Sequence, residues 1–254
     1  MSDDLNRARG LLRDADRIVV LTGAGISAES GVPTFRGEGG LWKSYRAEDL
    51  ATPQAFGRDP RLVWEWYAWR RASIAACRPN PGHLALARLA LAGRATVVTQ
   101  NVDGLHTLAA REAAGDGDPS PALPLELHGA IFRNRCTRCG ARSEGRTPVD
   151  SASRETLPHC PDPCGGLLRP DVVWFGETLD PRVLDAAFRR ASEADVCLVV
   201  GTSAVVHPAA SVPLATLERG GSVVEVNPES TPLTSYAAVS LQGPSGELLP
   251  TIIG

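Results

Sequence analysis

Short apolar runs alternate with longer amphipathic stretches along the chain. The run Ile18-Val19-Val20-Leu21 is too short for a helix and rich in β-branched residues, which suits a strand buried on both faces of a parallel sheet. Residues 95–99, 196–200 and 222–226 carry the same signature, 123–127 is a further strand candidate, and 239–243 reads as a last short strand. Helical patterns lie between them at 4–14, 61–77, 81–92, 181–193 and 208–219. In the first of these, Leu5, Ala8, Leu11 and Leu12 share one side, and the second opens on Asp59-Pro60, a helix-start pair. Residues 168–176 read as a segment that returns to the large sheet. Strands alternating with helices predict an α/β fold with a doubly wound, parallel, Rossmann-like sheet.

The strand at 18–21 ends in Thr22-Gly23-Ala24-Gly25-Ile26-Ser27-Ala28. Gly23, Gly25 and Ala28 fit the G-x-G-x-x-G/A turn that holds a pyrophosphate: the first glycine for the tight turn, the second for backbone approach to phosphate, the small third residue for close packing. By itself this pattern is equally that of an ordinary turn. An ordinary dinucleotide fold would continue into a long helix, whereas Gly31 and Pro33 break this one almost at once. A polar loop with Phe35 and Arg36 follows, placed to fold over a ligand.

Length and composition narrow the setting. A chain of 254 residues with 43% apolar content predicts one large domain or a domain plus a small module. The formal net charge of −3 and the lack of a long basic run argue against a nucleic-acid partner. Lys43 is the only lysine. The N-terminus has no apolar signal core, and no stretch approaches the roughly 20 apolar residues of a membrane span, so a cytoplasmic protein without a membrane partner is expected.

Candidate chemistry gathers at strand ends. Gln100, Asn101 and Asp103 follow the 95–99 strand, His128 follows 123–127, Gly201-Thr202-Ser203 follows 196–200, and Asn227-Pro228-Glu229 follows 222–226. Ligands of parallel sheets bind beyond such carboxyl ends. Asn and Asp there also serve as helix caps. Imidazole is the side chain best suited to take a proton near neutral pH. Tyr67 and Arg70 sit at i and i+3 on one helix face, where a phenol and a guanidinium fork suit a carboxylate. Cys136-x-x-Cys139 and Cys160-x-x-x-Cys164 are spaced as the two halves of one tetrahedral zinc site, structural because all four ligands are protein thiolates. Cys77 and Cys197 lie in apolar runs and read as core residues.

The segment GAGIS-x-ES-G-x-P-x-FR resembles the sirtuin family of NAD-dependent protein deacylases, and Gln100-Asn101-x-Asp103, Leu127-His128-Gly129, the cysteine pairs and Val172-Val173-Trp174-Phe175-Gly176-Glu177 resemble that family's further motifs in their order. Tyr67-Ala68-Trp69-Arg70 looks like the Tyr-x-x-Arg motif of class III sirtuins, with Ala51 as the small residue that widens the acyl pocket. The resemblance implies NAD-consuming deacylation of protein lysine, yielding nicotinamide and 2′-O-acyl-ADP-ribose, with preference for succinyl, malonyl or glutaryl over acetyl groups. It implies His128 as general base and Asn101 and Asp103 as the residues that handle nicotinamide. NAD contacts fall to Gly23, Ala24, Gly25, Ser27, Glu29, Phe35, Arg36, Gln100, Asn101, Asp103, Gly201, Thr202, Ser203, Asn227, Pro228, Glu229 and Ser245. Substrate contacts fall to Ala51, Tyr67, Arg70, Val172, Phe175 and Gly176, the last three by strand addition of an acylated-lysine peptide. Residues 1–40, 78–131 and 169–254 are expected to form the NAD-binding domain; a helical insertion at 41–77 and a zinc module at 132–168 form the smaller lobe. A monomer is expected. Protein ADP-ribosylation is the close alternative, and a non-catalytic zinc-containing NAD sensor is the alternative of another class.

Overall fold

The structure is a computed structural model that describes residues 2–33, 41–43, 45–161 and 163–254. In chain order the first half comprises α1 (Ser2–Asp14), β1 (Ile18–Thr22), α2 (Gly25–Ala28), β2 (Leu41–Trp42), β3 (Tyr45–Arg46), α3 (Ala47–Leu50), α4 (Pro53–Arg58), α5 (Pro60–Ala75), α6 (Pro81–Leu91), β4 (Ala95–Thr99) and α7 (Leu105–Ala114). The second half comprises β5 (Leu125–Glu126), β6 (Gly129–Cys136), β7 (Arg142–Glu144), β8 (Leu168–Val172), α8 (Pro181–Ser192), β9 (Val196–Val200), α9 (Val212–Glu218), β10 (Ser222–Asn227), β11 (Val239–Gln242) and α10 (Ser245–Ile253).

Six strands form the main sheet in the order β11-β10-β9-β1-β4-β5, each neighbouring pair parallel. The period of two along each strand sends alternate side chains to opposite faces. Ile18, Val20, Val97, Leu198 and Val224 therefore pack on one face with Ala8 and Leu12 of α1, Leu86 and Leu89 of α6, and Leu249 of α10. Val19, Leu21, Val98, Cys197 and Val223 pack on the other with Ala187 of α8 and Val212 of α9. Each aliphatic side chain so buried is worth roughly 1.5–3 kcal/mol. The expected doubly wound architecture follows. β1 has β4 on one side and β9 on the other, so the chain switches direction of winding there, and the carboxyl ends of strands at such a point are where ligands of parallel sheets bind.

Helix starts are set locally. α4, α5, α6 and α8 each begin with proline after Thr52, Asp59, Asn80 or Asp180, and each of those side chains accepts a backbone N–H of the first turn.

A second body of structure is built from α3–α5 and a three-stranded antiparallel sheet of order β7-β6-β8. Trp64 of α5 is fully buried and donates its indole N–H to the Leu168 carbonyl of β8 at 3.0 Å. Arg71 of α5 donates to the carbonyl of Ile131 and the side chain of Asn134 in β6, at 2.7 and 2.8 Å. Here the structure departs from the sequence reading. Residues 168–172 join β6 and not the main sheet, because β6 supplies a fresh antiparallel partner. The 123–127 strand keeps only two paired residues, and 208–219 divides into a 3₁₀ turn (Ala209–Ser211) and α9. Among the described residues no helix is long and apolar enough to cross a membrane.

Candidate active site

The carboxyl ends of β1 and β9 bring the Gly23–Gly25 turn and the Gly201 turn into contact. Gly23 N–H donates to the Val200 carbonyl at 3.0 Å and Gly25 N–H to the Gly201 carbonyl at 2.7 Å. A Cβ on Gly23 would lie 2.7 Å from Cβ of Thr202, and one on Gly25 would lie 2.7 Å from Cα of Gly201. The second glycine is thus required by the close approach of protein backbone, a reason the sequence pattern had assigned to phosphate. Ala24 caps α2, a single turn that ends at Glu29. The Glu29 carboxylate accepts the Ser245 hydroxyl at 3.0 Å and the Gly246 N–H at 2.9 Å, which pins this turn to the start of α10. Phe35 and Arg36 lie outside the described residues.

Beneath that turn lies a buried polar circuit. Asn101 donates its amide N–H to the Gly23 carbonyl at 3.0 Å and to Ser27 Oγ at 3.2 Å. Ser27 Oγ donates to Asp103 Oδ2 at 2.8 Å, and Asp103 Oδ1 accepts the Leu105 N–H at 2.8 Å, so Asp103 satisfies the first N–H of α7 as well as facing the site. Burial raises the Asp103 pKa, against the Leu105 N–H, the Ser27 hydroxyl and the Arg70 charge. Ser27 Oγ lies 3.4 Å from His83 Nε2, the His83 and His106 rings meet at 4.8 Å, and His106 Nε2 lies 2.9 Å from Thr22 Oγ1. Thr22 then donates to Thr99 Oγ1, which accepts the Asn101 N–H and closes the circuit. Burial pushes His83 down to about 4 and lowers His106, so both rings are neutral at pH 7. Thr22, Thr99 and His106 are not singled out by their place in the sequence. The period-two pattern that marked these strands says nothing of what their last side chains touch.

Further contacts surround this floor. His128 precedes β6, where Gly129 takes φ +78° and a Cβ would meet the Asp171 carbonyl at 2.1 Å. His128 Nδ1 lies 2.9 Å from the Gln100 carbonyl, which can only accept, so Nδ1 carries the proton and Nε2 the lone pair. Burial lowers the His128 pKa against that hydrogen bond. Gln100 in turn donates to Thr202 Oγ1 at 3.0 Å. Ser203 follows half-buried, and Asn227 donates to the Glu229 carbonyl at 2.7 Å, turning the chain at Pro228.

α5 delivers Tyr67 and Arg70 to the same neighbourhood. Tyr67 is fully buried, and its Oη accepts the Trp174 indole N–H at 2.8 Å, which leaves the phenol proton for donation. The Arg70 guanidinium lies 5.1 Å from the Trp66 ring centre and 5.9 Å from that of Tyr67. Burial lowers its pKa, while Tyr67 and Asp103 raise it. Arg70 and Asp103 are therefore close enough to feel each other's charge. Ala51 is buried, and its carbonyl accepts the Phe175 N–H at 2.9 Å. Phe175 is exposed, Gly176 has φ +85°, and Val172 is buried and paired with Gly129.

The sulfurs of Cys136, Cys139, Cys160 and Cys164 all lie within 4.8 Å of one another, with Cys136 and Cys164 at 3.6 Å and Cys139 and Cys160 at 3.7 Å. Four sulfurs bound about 2.3 Å from one zinc stand about 3.8 Å apart in a tetrahedron, so the donor set fits. The N–H groups of Arg138 and Cys139 point at Cys136 Sγ, at 3.4 and 3.5 Å, the charge-stabilising contacts a thiolate ligand needs. Zinc there would tie the β6–β7 turn to the loop that precedes β8.

The model of the Sir2 family matches residues 23–208. The chain is 52% identical to the NAD-dependent protein deacylase of Thermococcus kodakarensis over 98% of this chain and 94% of that one. It is 45% identical to dog (Canis lupus familiaris) mitochondrial NAD-dependent protein deacylase sirtuin-5, over 98% of this chain and 84% of that one. A solved complex of a Sir2 homologue with NAD superposes with a TM-score of 0.87 at 46% identity, covering 98% of this chain and 92% of that one. Glycine turns interlocked at the switch point of a parallel sheet, the four-cysteine cluster and these likenesses agree: the chain belongs to the Sir2 family and is a sirtuin of the class III kind.

Proposed function

We propose that this chain is an NAD-dependent protein-lysine deacylase that removes succinyl, malonyl or glutaryl groups in preference to acetyl. NAD-dependent deacylation is the activity in the names of its relatives, and the donor set at the carboxyl ends of β1, β4, β9 and β10 suits a dinucleotide. When bound, NAD supplies the ribose carbon that takes the acyl oxygen. Gly23, Ala24, Gly25, Ser27, Gln100, Gly201, Thr202, Ser203 and the 227–229 turn are the groups assigned to hold it. Glu29 and Ser245 hold each other, so they shape that cradle. Asn101 and Asp103 orient the nicotinamide end, and His128 Nε2 accepts a hydroxyl proton. The four thiolates hold a structural zinc.

The observation that carries the acyl preference is the buried Arg70 guanidinium, with the Tyr67 phenol beside it and Asp103 within electrostatic reach. A planar fork and a phenol donor bind a terminal carboxylate in a bidentate, charge-assisted way that an acetyl methyl does not reproduce. One lysine peptide in acetylated and succinylated forms, incubated with and without NAD, tests the reading through 2′-O-acyl-ADP-ribose detected by mass. Succinyl removal is expected to be faster by about tenfold or more, and Arg70→Met to lose that advantage while acetyl removal changes little. Faster acetyl removal, or equal losses in the variant, discards the pocket; no NAD-dependent product from either peptide discards the deacylase.

A further inference from the structure

The molecule carries a concavity away from the polar circuit. A cleft of about 850 Å³ opens where β5, the β6–β8 sheet and the start of α8 meet. Four arginines and three carboxylates line it, so it is positive on a chain whose formal net charge is −3. The arginines crowd one carboxylate. Asp171 is 5% exposed and has Arg142 at 2.9 Å, Arg133 at 3.3 Å and Arg135 at 3.8 Å. A carboxylate offers about four lone-pair positions and a guanidinium about five N–H donors, so Asp171 leaves most of these donors unmatched. Glu126 takes Arg133 at 2.6 Å, while Arg135 reaches Glu177 only at 3.6 Å, beyond hydrogen-bond length. Arg182 pairs with its near neighbour Asp180 at the rim. The Arg142 and Arg182 side chains are 52% and 85% exposed.

The cleft also adjoins the segment assigned to substrate. Val172 and Val173 line it, and so do residues 178–183, so its walls bracket the Trp174–Glu177 turn that exposes Phe175. A peptide running along that turn passes over the surplus guanidinium donors on one side. We infer that this cleft reads acidic side chains flanking the acylated lysine of a protein substrate. The inference rests on the peptide-deacylase reading for its ligand, but it concerns a surface separate from the Arg70 pocket.

Two labelled succinyl-lysine peptides that differ only in Glu or Gln at the flanking positions provide the test, by fluorescence anisotropy without NAD and by turnover with it. At about 50 mM salt the Glu peptide is expected to bind about tenfold tighter, and at about 0.5 M salt the ratio falls below about threefold. In Arg142→Gln/Arg182→Gln the ratio falls to about one while the Gln peptide binds as before; Arg182→Gln alone, at the exposed rim, lowers it about twofold. Equal binding of both peptides to the wild type, or an undiminished ratio in the double variant, overturns the inference. Displacement of both peptides alike by inorganic phosphate assigns the cleft to small anions and also overturns it. A Glu preference in binding with no turnover of either peptide upholds the cleft and counts against the deacylase.

Discussion

His128 shows how one hydrogen bond sets a proton's place. The Gln100 carbonyl fixes Nδ1 as the protonated nitrogen, and burial keeps the ring neutral, so Nε2 is a ready acceptor. The group must be unprotonated to act as base. Because its pKa lies below the ordinary histidine value, kcat/KM is expected to rise with pH along an acid limb whose midpoint falls below about 6.5. His128→Tyr is expected to lower turnover by at least about a hundredfold and to flatten that limb, with an unchanged circular dichroism spectrum. A limb centred above pH 7, or activity that survives in the variant, removes His128 from the base role. The residue types at this site were legible in the sequence because strand ends concentrate them. Their wiring was not: the same Asp103 that faces the site also accepts the first N–H of α7, and Glu29 turned out to hold Ser245 and Gly246.

Among elements, the strands of the main sheet were readable because burial on both faces demands continuous apolar runs, as β1 and β9 show at every position. β6 escaped notice for the opposite reason. Its sequence, Gly129-Ala130-Ile131-Phe132-Arg133-Asn134-Arg135-Cys136, alternates poorly: Ala130 and Ile131 are buried side by side, and a register shift follows between Ala130 and Asn134. α10 was hidden by Pro244, Gly246 and Pro250, residues that ordinarily punctuate a helix. The antiparallel sheet gains its distal closure from the cysteine cluster: β7 is three residues long and exposed throughout. Structural zinc contributes about 10–16 kcal/mol of binding energy to small modules, so its loss should outweigh anything β7 supplies. A zinc chelator, or Cys139→Ser, is expected to lower the melting temperature and to raise hydrogen exchange in 133–144 and 157–168 before it does so in 95–99. Uniform exchange across both sheets, or no change at all, contradicts a local structural role.

For the whole molecule, two neutral imidazoles in the core make stability depend on pH. His83 is held at about 4 in the folded protein, against about 6.5 when unfolded, and His106 is lowered in the same direction. Between these values the unfolded chain binds the extra proton, so the stabilising contribution is complete above about pH 6.5 and is lost as pH falls toward 4. For His83 the loss is on the order of 3 kcal/mol. Urea midpoints should therefore fall between pH 7 and pH 4.5, and His83→Asn should shallow that fall even where its own midpoint at pH 7 is lower. Parallel slopes in the two proteins would refute the assignment. The pin between Glu29 and α10 acts over a separation of 216 residues. A chain leaving the ribosome exposes Glu29 early, whereas Ser245 and Gly246, which donate to its carboxylate, emerge near the end of synthesis. Synthesis order thus delays this pin, and nascent chains shorter than about residue 246 lack the bond that ties the Gly23–Glu29 turn to α10.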